Sequence, residues 1–239
     1  MPTIALRTPS RLNAALATLA LAGALAGCGG GSSDNGIASK SPTEILNAAK
    51  SAVAGASSVH VSGSASSNGT PLSLDLELVT GKGAKGTVSE HGLSFQLIEL
   101  GGYIYINGSQ AFYTHFGGSA AAALFKGKWL KAPANQAEFA SLSSLTNLQT
   151  LLSSLLNQHG TISSTGTSTV AGHKVVGLHD STAGGTLYIA TDGTAYPVEV
   201  TKGGKESGTI TFDRWNQSVS LSAPANAIDI TQLQAQAGG

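Results

Sequence analysis

Cysteine, charge and long apolar runs are all scarce in this chain, and each scarcity closes off a class of protein. Among 239 residues there is one cysteine, Cys28, so no internal disulfide and no cysteine-built metal centre can form. Charged residues make up 11% of the chain and balance at 13 basic against 13 acidic. Without a basic stripe to displace phosphate counterions there is no case for nucleic acid as a partner. The longest apolar run, Leu12 to Ala26, has 15 residues, short of the roughly 20 that a spanning helix needs. Catalytic signatures are missing too. There is no G-x-S-x-G elbow, and Gly81-Lys82-Gly83-Ala84-Lys85-Gly86-Thr87 has the glycines of a phosphate loop without the lysine before the threonine. Acidic residues stand singly, offering no pair for general acid and base work. His173 and His179 fall about 20 Å apart along a strand, too far to share a metal. The reading is of a non-enzyme with no metal and no cofactor.

The N-terminus carries what charge and length do not. Arg7 and Arg11 precede the Leu- and Ala-rich run, which ends in Leu25-Ala26-Gly27-Cys28, the order of zones in a secretory signal with a small-residue cleavage site. This resembles the bacterial lipobox. The resemblance implies cleavage before Cys28 and acylation of its sulfur, with residues 1–27 as signal peptide. A lone thiol in an oxidising envelope is otherwise a liability. Removing residues 1–27 takes two arginines and leaves 11 basic against 13 acidic residues in 212, enough for one domain with a real core.

From Cys28 to Lys40 the sequence is rich in Gly, Ser, Asp and Asn, so residues 28–41 read as a flexible tether and 42–239 as the domain. Ser41-Pro42-Thr43-Glu44 is a capping-box signature. It predicts a helix from Pro42 to about Gly55 that buries Ile45, Ala49, Ala52 and Val53. The period then changes to two. Leu72, Leu74, Leu76 and Leu78 alternate with Ser73, Asp75 and Glu77, a half-buried strand. Further strands are expected at Val59 to Gly63, Gly86 to Ser89, Leu93 to Leu100, Tyr103 to Asn107 and Phe112 to Phe116. Turns are marked by Asn68-Gly69, His91-Gly92, Gly101-Gly102 and Asn107-Gly108. Helical spacing takes over at Ala120 to Leu124, Gln136 to Leu142 and Ser144 to Gln158, where Leu145, Leu148, Leu152 and Leu155 form a stripe. Strands resume at Gly172 to His179, Gly185 to Ala190, Pro197 to Lys202, Gly208 to Trp215 and Val219 to Ser222. The expected fold class is α+β: a curved antiparallel sheet, an open half-barrel of about ten or eleven strands, with an N-terminal helix and a helical insert over its concave face.

So wide a sheet has more apolar surface than two helices can cover. Either side chains close a compact core, or the sheet curls around a cavity whose candidate lining is Leu74, Leu76, Phe95, Leu97, Tyr103, Tyr105, Leu124, Leu148 and Leu152. Trp129 reads as a rim residue and Trp215 as packing on the outer face of the last strands.

Several phrases add to this order of elements: Ser58-Val59-His60-Val61-Ser62-Gly63, Gly101-Gly102-Tyr103-Ile104-Tyr105-Ile106-Asn107-Gly108, Gly127-Lys128-Trp129-Leu130-Lys131, Val170-Ala171-Gly172-His173-Lys174-Val175, Leu187 to Gly193, and Ile210 to Asn216. Together they resemble the envelope lipid-binding superfamily of LolA and LolB, and more closely the actinobacterial lipoproteins of the LppX and LprG type. The resemblance covers nearly all of residues 42–231. It implies a half-barrel holding acyl chains of a lipid, glycolipid or lipoprotein in an apolar cavity, without covalent chemistry, on the outer leaflet of the cytoplasmic membrane or on an outer membrane where one exists. The helical insert, flanked by Gly117-Gly118 and Gly160, would be its lid. The alternative is a scaffold or sensor lipoprotein whose sheet is packed shut and which binds another envelope protein.

Overall fold

The computed structural model describes residues 34–67 and 69–237. The expected signal peptide, Cys28 and Asn68 of the expected Asn68-Gly69 turn lie outside them. Over residues 34–41 the tether expectation is corrected. Asn35 donates its backbone N–H to the Thr191 carbonyl at 2.8 Å and its side-chain amide to the carbonyls of Ala190 and Gly193. Ile37 is buried against the core, so this polar segment is pinned to the domain by one amide and one aliphatic side chain.

Helix α1 (Pro42–Ala54) starts at a capping box: the Ser41 hydroxyl accepts from the Glu44 N–H and the Glu44 carboxylate accepts from the Ser41 N–H. Its buried face is Ile45, Leu46, Ala49 and Val53, with Leu46 in the place expected of Ala52. A meander follows: β1 (Ser58–Ser67), β2 (Thr70–Val79), β3 (Gly83–Glu90), β4 (Leu93–Leu100) and β5 (Tyr103–Gly108). Then come α2 (Gln110–Phe125), β6 (Leu130–Pro133), a 3-10 turn at Ala137–Phe139, α3 (Ala140–Thr146) and α4 (Leu148–Asn157). The second meander is β7 (Ile162–Val170), β8 (His173–Asp180), β9 (Gly185–Ala190), β10 (Pro197–Lys202) and β11 (Gly208–Asp213), after which β12 (Ile228–Asp229) leads into α5 (Ile230–Ala237). Tight turns join the hairpins as the sequence indicates. His91 and Gly92 have φ of 52° and 75°, and Gly101 and Gly102 have 62° and 78°, the two positive values of a type I′ turn.

All twelve strands form one open sheet in the order β12-β6-β5-β4-β3-β2-β1-β11-β10-β9-β8-β7. The two meanders meet where β1 pairs with β11, His60 opposite Asp213 and Ser64 opposite Thr209. Every pairing is antiparallel except β12 with β6. The fold is therefore α+β, a large, open and mostly antiparallel sheet with five α-helices among the described residues.

Four sequence expectations are corrected. Phe112 to Phe116 is helical, because Ser109 caps α2 by accepting from the Phe112 N–H, and the helical turn brings the Phe112 and Phe116 rings into tilted contact, 4.8 Å between ring centres. Asn107-Gly108 is no turn but the end of β5. The single helix expected over Ser144 to Gln158 is two, since Asn147 leaves helical geometry to cap α4, its side chain accepting from the Thr150 N–H. Val219 to Ser222 forms no strand: a return strand would need a free edge beside β11, and both are taken by β1 and β10.

The core lies between the middle of the sheet and two helices. Leu148, Leu152 and Leu156 of α4 and Ile45, Ala49 and Val53 of α1 pack on Val59, Val61, Leu76, Leu78, Leu97, Val176 and Phe212. Gly63, in the central strand, has φ 141°, and a Cβ there would lie 2.1 Å from the Thr209 carbonyl oxygen of β11. Gly63→Ala must push apart the two strands that join the meanders, and it is expected to cost at least about 1–3 kcal/mol, read as a lowered denaturation midpoint in urea.

Candidate ligand cavity

An apolar space of about 640 Å³ opens on the helix-covered face beside the core. Its floor is β2 to β6, through Leu72, Val88, Phe95, Ile104, Ile106, Leu130 and Ala132; its roof is Phe112 and Phe116 of α2, Phe139, Leu142 and Leu145 of α3, and Ile230 of α5. Ladder register puts these floor residues on one face. Leu97 is opposite Ile106, Ile106 is opposite Leu130 and Ile104 is opposite Ala132, and directly opposed residues in an antiparallel pair project to the same side. Glu90 is the acidic member of the lining. A volume of this size is in the ordinary range of small-molecule sites, about 300–1,000 Å³.

Two details hold the roof in place. A Cβ on Gly108 would come within 2.4 Å of the Phe112 ring, so the bare strand end is what seats that ring over the floor. Tyr113, 4% exposed, accepts the Gly108 N–H at 2.9 Å and donates to the Lys128 carbonyl at 3.2 Å. Its burial pushes the phenol pKa upward, the Gly108 hydrogen bond opposing, which keeps the hydroxyl a donor.

Of the nine residues expected to line a cavity, Phe95 does. Leu76, Leu97, Leu148 and Leu152 are at most 2% exposed and belong to the sealed core; Leu74 packs against that core. Tyr103 and Tyr105 are a correction. Tyr105 stands opposite Ile98 and Lys131, and Tyr103 opposite Leu100 and Pro133, which sets both on the outer face. There the Lys131 ammonium lies 3.9 Å from the Tyr103 ring centre. Leu124 is also corrected: it is 54% exposed, on the far end of α2. Sequence reasoning missed Ile104 and Ile106, whose parity was open in a run of four apolar residues, and the α5 residue Ile230.

No protein-family model and no curated protein sequence matches this chain. Solved structures do. LprF from Mycobacterium bovis superposes with a TM-score of 0.57 over 77% of this chain and 97% of its own, at 16% identity. The Mycobacterium tuberculosis lipoprotein LppX gives 0.51 over 76% and 98%, at 18% identity. This protein has the LppX-type fold. At such identity it is architecture that is shared, and the LppX/LprG-type relationship read from the sequence holds at that level.

Within this LppX-type fold a second, smaller apolar space of about 230 Å³ lies across α4 from the first. Leu155 and Leu156 of α4, Leu46, Leu178, Leu187 and Val200 line it, and Asp180, His159 and Lys202 stand at its polar end. The outer face holds a third, polar cleft of about 410 Å³ with Trp129, Asp75, Glu77, Lys85, Gln96 and Arg214 in its walls. His60 bridges two carboxylates beside it, Nδ1 to Asp213 at 2.5 Å and Nε2 to Asp75 at 3.1 Å. Trp215 stacks on Tyr196 with ring centres 4.3 Å apart and donates its indole N–H to the Pro197 carbonyl. His173 and His179 sit apart as expected, His179 bonded to Thr186.

Asp180 closes the small cavity. Its carboxylate accepts N–H groups from Gly160, Ala183 and Thr182, with His159 nearby, and these hold its pKa below the usual carboxylate range. A lowered folded-state pKa gives stability that is complete above the unfolded value and is lost as pH falls through the folded one. Asp180→Asn should therefore melt below the parent at neutral pH, and the gap should narrow as both are titrated below about pH 4, read as melting temperature against pH.

Proposed function

We propose that the chain is a lipid-anchored envelope protein that holds acyl chains in the 640 Å³ cavity and hands them on without covalent chemistry. The observation that carries this reading is the cavity itself: an apolar floor of β2 to β6 under an aromatic roof, set beside a core that is fully packed and so does not need the space filled by the protein. Burial supplies the driving force. At about 0.8 kcal/mol per methylene, an acyl segment of about ten carbons gains about 8 kcal/mol before the cost of association. Glu90, exposed at the cavity lining, marks a side where the polar end of such a ligand would meet water. The lipobox resemblance at Leu25-Ala26-Gly27-Cys28 and the fold shared with a lipoprotein, LppX, support anchoring through Cys28 on the extracytoplasmic side. An envelope protein that gives or takes the cargo would be a further partner.

Native mass spectrometry of the domain made in an actinobacterial host, before and after solvent extraction, tests the reading. A stoichiometric lipid mass is expected. A clean ligand-free mass under gentle conditions would instead favour a packed scaffold that binds another envelope protein. The cavity-filling probe is Leu145→Trp, a half-buried roof position with open space in front of it. It should cut the bound-lipid fraction severalfold with little change in melting temperature. Leu152→Trp, in the sealed core, should cost about 1–3 kcal/mol of stability by overpacking. Full lipid occupancy in Leu145→Trp would remove this cavity from the proposal. Cys28→Ala should shift the protein from the membrane fraction to the soluble one, and unchanged membrane fractionation would refute the anchor.

A further inference from the structure

Helix α2 is built mainly of Ala, Gly and aromatic residues, with Gln110, Thr114, His115 and Ser119 as its small polar set, and it lies at the surface. Its sixteen residues contain no Asp, Glu, Lys or Arg. A helix of that composition belongs in a core, but only Tyr113 and Ala122 are buried. Phe116 is 69% exposed and Leu124 is 54% exposed, the two most exposed large apolar side chains among the described residues. Gly118 breaks the helix between them, with φ 74° and ψ −176°, which a residue with a side chain adopts only under strain. Isolated surface leucines need no explanation, but a contiguous uncharged helix does.

Two further observations say what covers it. Phe116 reaches both ways: it lines the 640 Å³ cavity and is open to solvent, so the patch is continuous with the cavity wall. The charge that follows it in the chain is basic. Exposed Lys126 and Lys128 come directly after the helix, and no carboxylate occurs from residue 100 to residue 137. Glu90 stands in the cavity lining, Glu99 accepts from Thr146 and Asp229 lies 3.8 Å from Lys131. An uncharged apolar surface followed by lysines suits the boundary between acyl chains and anionic headgroups, where long cationic side chains reach back to phosphate.

We propose that α2 is a membrane-docking element: Phe116 and Leu124 enter the acyl layer of an anionic bilayer, Lys126 and Lys128 sit at its phosphates, and the cavity is thereby set against the lipid surface. The purpose of the docking rests on the acyl-binding reading; the docking does not.

Among the described residues the core runs from Ile37 onward, so the chain from residue 34 serves as an anchor-free domain for the test. It is sedimented with vesicles of phosphatidylcholine mixed with phosphatidylglycerol, and with phosphatidylcholine alone. The domain should bind the mixed vesicles more tightly, and added salt should weaken that preference. Ala120→Asp with Leu124→Asp, both exposed and neither in the cavity lining, should lower the partition coefficient roughly tenfold or more, at unchanged melting temperature and unchanged bound-lipid mass. Lys126→Gln with Lys128→Gln should abolish the preference for phosphatidylglycerol. Undiminished binding by the double aspartate variant, no binding of the parent to either vesicle, or a concentration-dependent dimer that the aspartates dissolve would each overturn the proposal. Vesicle binding by a domain that carries no lipid mass would support docking and refute the cargo reading, so the two can fail separately.

Discussion

Everything on the helix-covered face depends on how α4 seats across the middle of the sheet. Leu148, Leu152 and Leu156 meet the central strands there, α1 lies alongside, and the Gln149 amide donates to the Val53 carbonyl at 3.1 Å to join the helices. A sheet with one apolar face must cover it, and a helix with its side chains is about 10–12 Å wide. Two of them span only part of twelve strands spaced about 4.8 Å apart. The uncovered flanks are where the two apolar spaces lie, about 640 Å³ over β2 to β6 and about 230 Å³ over β8 to β10. The cavities thus follow from the mismatch between a wide sheet and a narrow tightly packed cover, without any strand needing to be distorted to make them.

The opposite face shows how a protein with so few charges presents a wide sheet to water. Register aligns a row of hydroxyls across seven strands, Thr186, Thr201, Thr209, Ser64, Ser73, Ser89 and Ser94. Four residues along, a second row sets Asp213 against His60, His60 against Glu77 and Glu77 against Lys85. Exposed pairs of this kind contribute about 0–1 kcal/mol each, so their effect is less on stability than on register. A slip of one residue would turn charges into the core and leucines into solvent. The exposed edge β7 is polar for a related reason, since Ser163 to Thr169 offers no apolar strip for another sheet to pair with.

How legible all this was in the sequence depended on whether a local rule decided the matter. The Ser41 capping box, the leucine alternation of β2 and the paired-glycine turns each fix geometry over four to eight residues, and they were read correctly. β7 escaped because serines and threonines on both faces leave no period to detect. Phe112 to Phe116 was misread because five aromatic and polar residues fit either period, and the deciding bond, from the Phe112 N–H to Ser109, is a cap that a strand reading does not look for. The cavity was legible in kind and not in place. Tyr103-Ile104-Tyr105-Ile106 offers two apolar faces, and only pairing with β4 and β6 selects the isoleucines. Leu76 and Leu97 have the composition of a lining, yet Leu148 and Leu152 of α4 close over them in one core, a fact of tertiary packing that no spacing contains.

The same packing makes the two halves of the cover unequal. α1 and α4 are bound to the sheet by fully buried aliphatic faces, and opening there would expose the core. The roof of the larger cavity is built from shorter pieces separated at Gly118 and Asn147, and its fixings are mostly single hydrogen bonds: Tyr113 to Gly108 and Lys128, Ser143 to the Ala134 carbonyl, and Thr146 to Glu99. Segments with little buried apolar area open at lower free energy than those that carry the core. Displacing the cover is therefore least costly at α2 and α3, on the side where Phe116 joins the cavity to solvent, and most costly at α4, which is tied to the core.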